Sequence, residues 1–229
     1  MQNFYANRPL ATLVITLIII VTANPSNYKG LAVVKYKLSQ KVISFSFTNL
    51  QIEMAIEKLA IEHKIPIGLV SNSSYTLKKS DTFSLNARNQ TVASLLDSIT
   101  GLCSCYDWKE LDGVINVTPR GDSYTPFFKE VMSAKLDYLK IDKRTPIYEV
   151  RYSLLNAIEV KKITSKYGFT SFSSQFGCGL FSCYLGSDPE YSAIFTDMTL
   201  NQILNYLAAN SKMLFWKTYS HENYFSIFL

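Results

Sequence analysis

Four cysteines and two histidines are the side chains of this sequence best suited to chemistry, and their spacing gives them little to do together. His63 and His221 each lack a second ligand at a metal-binding interval, so no zinc site is expected. Cys103 and Cys105 are spaced Cys-x-Cys, not the Cys-x-x-Cys of thiol oxidoreductases. Asp107, Glu110 and Asp112 crowd around one turn. Paired carboxylates can hydrolyse glycosidic bonds, but acids at a hairpin tip read as solvated turn residues. There is no Gly-x-Ser-x-Gly elbow and no phosphate-cradling glycine loop. The expectation is therefore no catalytic residue, no metal and no cofactor, and a protein that is not an enzyme.

The cysteines have a second use. Cys178 and Cys183 flank Gly179-Leu180-Phe181-Ser182, a plausible turn, and in an oxidising compartment they are candidates for a disulfide. Cys103 and Cys105, read as part of a strand, would share a face and form only a strained bridge. A link from either to the second half, or a pair of buried thiols, stays open. The chain also has 15 tyrosines, 14 phenylalanines and 2 tryptophans. Trp108, Trp216, Phe127, Phe128, Phe176 and Phe181 are candidates for an apolar binding surface. The alternative is that they fill a thin, sheet-rich core.

The elements that would position these residues follow from periodicity. Val42 to Phe47 alternates as a half-buried strand does, and Thr48-Asn49 reads as a helix cap. Ile52, Ala55, Ile56, Leu59 and Ala60 then recur at helical spacing up to about His63. Pro66 stops the helix before a short strand, Ile67 to Val70. Thr82 to Leu85 is a further strand. Asn89 or Thr91 caps a helix with a Val92, Leu95, Leu96, Ile99 stripe, ended at Gly101. Strands at 103–109 and 114–117 are joined through Asp112-Gly113. Residues 119–135 read as a linker. Beyond it come a strand at Leu136 to Ile141, a helix begun by Thr145-Pro146, and a Ser, Gly and aromatic stretch holding Cys178 and Cys183. A strand at Ser192 to Phe195, a helix at Thr199 to Ala208 and a closing hairpin finish the chain.

A repeat lies inside this order. Thr91 to Ile99 is echoed by Thr199 to Leu207, and Trp108-Lys109 by Trp216-Lys217, both 108 positions on. A helical stripe and a Trp-Lys pair sharing one offset indicate a duplicated unit. The first unit, βαββαββ, carries Phe47-Thr48-Asn49-Leu50, Ala55-Ile56, Leu59-Ala60, Phe83-Ser84-Leu85 and the run Thr91 to Leu102. In these residues it resembles the short N-terminal (STN) module of secretins and TonB-dependent receptors. The resemblance covers about a third of the chain. It implies a periplasmic module that contacts partner proteins. Unlike those families, the sequence leaves no room for a secretin ring or an outer-membrane barrel.

The N-terminus reads as a secretory signal peptide. Arg8 opens it, Leu13 to Val21 is apolar but for Thr16, and Val21-Thr22-Ala23 places small residues before Asn24. The apolar stretch is shorter than the roughly 20 residues needed to cross a bilayer. A net charge of +5 does not argue for nucleic acid. The expected organisation is a signal peptide (1–23), an extension (24–41), an STN-like module (42–118), a linker (119–135) and a second, diverged module (136–229). The expected fold class is α+β, with two small modules of two helices on short mixed sheets. The expected role is a periplasmic protein-interaction module, outer-membrane associated or free. It would be an adaptor for a secretin, pilus or receptor-signalling component. The alternative is a ligand-binding module for cell-wall glycan or a small hydrophobic molecule.

Overall fold

The computed structural model describes residues 19–22, 38–72, 81–142, 145–171, 192–210, 214–221 and 223–229. The fold is α+β. Its first half runs β1 (Ile19–Thr22), β2 (Val42–Leu50), α1 (Ile52–His63), β3 (Ile67–Asn72), β4 (Phe83–Thr91), α2 (Val92–Cys103), β5 (Tyr106–Leu111) and β6 (Val114–Pro119). The second runs α3 (Pro126–Met132), β7 (Lys135–Leu136), β8 (Leu139–Ile141), α4 (Ile147–Asn156), α5 (Ile158–Lys166), β9 (Thr170–Ser171) and β10 (Ala193–Thr196). It closes with β11 (Met198–Thr199), α6 (Leu200–Asn210), β12 (Phe215–His221) and β13 (Tyr224–Phe228). No helix among the described residues is long and apolar enough to cross a membrane.

The amphipathic stripes bury as their spacing requires. Ile52, Ala55, Ile56, Leu59 and Ala60 are buried on α1, and Val92, Leu95, Leu96 and Ile99 on α2. Caps and turns depart from expectation in informative ways. Asn49 does not cap α1; it has φ +51 at an irregular step of β2, and Gln51 is the cap residue. Thr145 does not cap α4 either, since its hydroxyl donates to the Asp142 carbonyl. The helix α2 runs past Gly101 to Cys103, and Ser104 ends it at φ +53. That left-handed residue brings the Cys103 and Cys105 Cα atoms to 5.2 Å, and the two sulfurs are bonded. The strand expected over 103–105 is thus a helix end, and the turn supplies the geometry that a strand would deny. Asp112 and Gly113, both at positive φ, make the tight turn between β5 and β6.

The second half has the same topology as the first. A small antiparallel sheet (β2 with β4, β8 with β10) accompanies a three-stranded set ordered β5-β6-β3 or β12-β13-β9. The likeness reaches single residues. Phe47 pairs with Leu85 as Ile141 pairs with Ala193, and Val42 with Thr91 as Lys135 with Thr199. Asn89 and Asp197, 108 apart, take positive φ two residues before a helix-capping threonine. Thr91 Oγ1 accepts from the Ser94 amide, and Thr199 Oγ1 from the Gln202 amide.

The sequence leaves the relative arrangement of the two modules open, and the structure supplies it. β3 pairs in parallel with β12, from Ile67 opposite Phe215 to Asn72 opposite Ser220. The two sets thereby merge into one six-stranded sheet, β5-β6-β3-β12-β13-β9. Two cores cover its faces. Ile67, Leu69, Ile115, Val117 and Phe215 pack with α1 and α2, whereas Val70, Val114, Trp216, Phe225 and Ile227 pack with α3, α4 and α6. Strands β3 and β6 are apolar on both faces because both faces are covered. The segment 119–135 is no linker. Its helix α3 buries Phe127 and Phe128, with Phe127 stacked on Phe169 and edge-on to Phe225.

Candidate functional site

The two tryptophans make one contact in duplicate. Trp108 Nε1 donates to Asp97 Oδ1 at 2.8 Å, and Trp216 Nε1 to Asn205 Oδ1 at 3.1 Å. Both acceptors stand on the helix preceding the tryptophan, and all four positions obey the 108-residue offset. Each indole lies over its own helix and finds there the polar partner that a buried N–H needs. Trp108 is half-buried, but Trp216 is fully enclosed. It lies over Gly68, its partner across the β3–β12 pairing. A Cβ at Gly68 would come within 2.0 Å of the Trp216 ring. Glycine is required at that position by close approach, not by a turn.

Beside this contact lies a polar cluster that sequence reasoning missed. Glu53, in the first turn of α1, accepts from Ser71 Oγ at 2.6 Å, from the Tyr106 hydroxyl at 2.5 Å and from Lys217 Nζ at 2.5 Å. The Glu53 and Lys217 side chains are 21% and 25% exposed. Burial pushes the Glu53 carboxyl up, but the Lys217 charge and the three hydrogen bonds outweigh it and hold the group below the ordinary carboxylate range. Burial pushes the neighbouring Glu57 up; the Lys217 charge opposes this and the Glu53 charge adds to it. Tyr106 is pushed far up, first by burial and then by the Glu53 charge, so it stays a donor.

A carboxylate held ionised by three donors is a poor proton acceptor near neutral pH. Its arrangement suits a fastening instead. α1, β3 and β5 belong to the first copy and β12 to the second, and Glu53 is where they meet. The only legible hint was Lys217, as part of the repeated Trp-Lys pair.

The other expected sites fall as follows. Trp216, Phe127 and Phe128 are core and cannot form a binding surface, because their rings are spent on packing. Phe176, Phe181, Cys178 and Cys183 lie outside the described residues. Asp107 pairs with Arg120, and Glu110 accepts from the Leu38 and Ser39 amides. No group of three or more potential metal ligands occurs among the described residues.

The remaining features with binding chemistry are strand edges. Among the described residues β4 pairs only with β2, and β5 only with β6. On β10 the corresponding edge is taken. β1 lies along it in parallel, Ile19 opposite Ala193 through Thr22 opposite Thr196. The same positions in the first copy are Leu85 to Arg88. No protein-family model, no curated protein and no solved structure matches this chain.

Proposed function

We propose that this is an exported protein-interaction module, an adaptor of an envelope secretion, pilus or receptor-signalling system. Recognition would work by strand addition to an exposed sheet edge. The observation that carries the reading is the seating of β1 on β10, an added strand already held in parallel register by this fold. The resemblance of residues 42–118 to the STN module and the apolar N-terminal segment support the periplasmic setting. A chain stabilised by two cores and a polar tie, with strand edges left over, is suited to holding a partner in place.

The test is an in-cell crosslink of the tagged protein followed by mass spectrometry. Secretin, pilus or receptor components are the expected captures. Recovery of the protein alone, with purified protein instead changing its tryptophan emission on addition of cell-wall glycan, would replace this reading with the ligand-binding one.

A further inference from the structure

The strand that closes the β10 edge lies inside the segment that reads as a signal peptide. Ile19 to Thr22 pairs with Ala193 to Thr196, and the expected cleavage point is the Ala23–Asn24 bond. Hydrolysis there by a signal peptidase adds water across that amide, giving a carboxylate on Ala23 and an amine on Asn24. It also cuts β1 away from the rest of the chain. While attached, the segment acts at an effective concentration of the order of millimolar, set by its tether. Once cut, it is a free peptide and dilutes away.

The chemistry of the edge says what should replace it. Ala193 and Phe195 are buried in the core, so Ile194 and Thr196 occupy the opposite face of the strand. The equivalent positions on β4 are Asn86 and Arg88, both exposed. A strand meant to face water has polar or charged residues on its outer side. β4 has them; β10 has an isoleucine, and that isoleucine is only half-buried even with β1 in place. The present occupant is β-branched throughout, Ile-Ile-Val-Thr, the composition that packs best on a pleated surface.

We propose that export exposes the outer edge of β10, and that this edge then receives an extended, apolar, β-branched segment of an envelope partner in the parallel register now held by Ile19 to Thr22. The leader thus blocks the site until the protein has crossed the membrane. This rests on the adaptor reading above and specifies its site, its ligand class and its control.

The experiment uses protein processed by the cell, its N-terminus read by intact mass, beside an unprocessed Ala23→Arg variant. The probe is a fluorescein-labelled peptide with the sequence of residues 17–24, followed by anisotropy. Processed protein is expected to bind it saturably, and the Ala23→Arg protein at least about tenfold more weakly, because its site is already filled. A peptide with proline at the position of Ile20 should not bind. Ile194→Asp should abolish binding while the emission of buried Trp216 stays unchanged. An intact leader on the mature protein, equal binding by both proteins, or no binding by folded processed protein would each overturn the inference. Should partner components still be captured in cells after such a result, the adaptor reading stands and only the β10 site falls. Peptide binding without any captured partner would sink both, since the edge would then serve only the leader.

Discussion

The outer edges of β4 and β10 occupy the same place in two copies of one unit, and they are finished differently. β4 is nine residues long, turns Ser84, Asn86 and Arg88 outward, and has no second neighbour among the described residues. β10 is four residues long, carries Ile194 on the same side, and is covered by β1. The register, the positive-φ residue and the threonine cap are shared. The difference is therefore one of surface chemistry laid on a common backbone. The first copy is equipped to stay alone in water; the second is equipped to be paired. The same contrast runs through the tryptophans, where Trp108 is half-buried and Trp216 is locked between β3 and α6.

That contrast can be broken by substitution. The largest effect should come from Trp216→Ala, at about 3–5 kcal/mol, because it empties an enclosed site at the junction. Trp108→Ala, at a half-buried site, should cost about half as much or less. Urea denaturation of both variants compares them directly, and equal losses would mean that the copies are not asymmetric in packing. Gly68→Ala is next. The new methyl has no space beside the Trp216 ring, and a loss of about 3 kcal/mol is expected from overpacking. Gly101→Ala, where an added Cβ meets nothing within 4 Å, is the control and should be neutral or slightly stabilising.

Lys217→Met should cost about 2 kcal/mol, less than for a fully enclosed pair, since both partners keep some contact with water. Its sharper signature is pH dependence. In the native protein Glu53 is depressed, so its contribution is present above the ordinary carboxylate range and is lost as pH falls through the folded value. Glu57, raised, acts in the opposite sense and loses its contribution as pH rises through its own folded value. Without Lys217, burial of Glu53 is opposed only by the Ser71 and Tyr106 hydrogen bonds, and its carboxyl moves up from the native value. The stability that the native protein gains as pH rises through the carboxylate range should then be smaller in the variant. Denaturation midpoints of both proteins from about pH 3 to pH 7 check this, and equal gains would contradict it. The smallest effects are the caps: Thr91→Ala and Thr199→Ala should each lose about 1 kcal/mol. Thr199→Ala should be the costlier, because the Gln202 side chain also accepts from the Thr199 hydroxyl and amide.

How much of this could be read beforehand depended on range. α2 and α6 were legible because a helical stripe, a threonine cap and a tryptophan at a fixed distance are all local signals. The first half of the second copy was obscured by three local breaks. β7 and β8 are split where β2 is continuous, α4 and α5 part at Ala157, and β9 pairs over only two residues. α3 reads as linker because Pro119 and Pro126 bracket the polar run before it, although Pro126 stands at the first helical position, where proline starts a helix. The pairing of β3 with β12 was not legible, and of the Glu53 cluster only Lys217, in the repeated Trp-Lys pair, stood out. Glu53 and Lys217 stand 164 residues apart, and no periodicity reports which surfaces meet. Gly68, which needs its missing side chain only because Trp216 arrives, was unreadable for the same reason. The N-terminal segment was read from its apolarity as an export signal; that it also pairs as a strand is a tertiary fact.

The most direct measurement places a photo-crosslinking residue at Ile194 or, separately, at Arg88, in the protein inside cells. The account predicts an adduct with a secretin, pilus or receptor component from position 194 and none from position 88. Adducts of equal yield from both positions, or none from 194 with the leader removed, would contradict it.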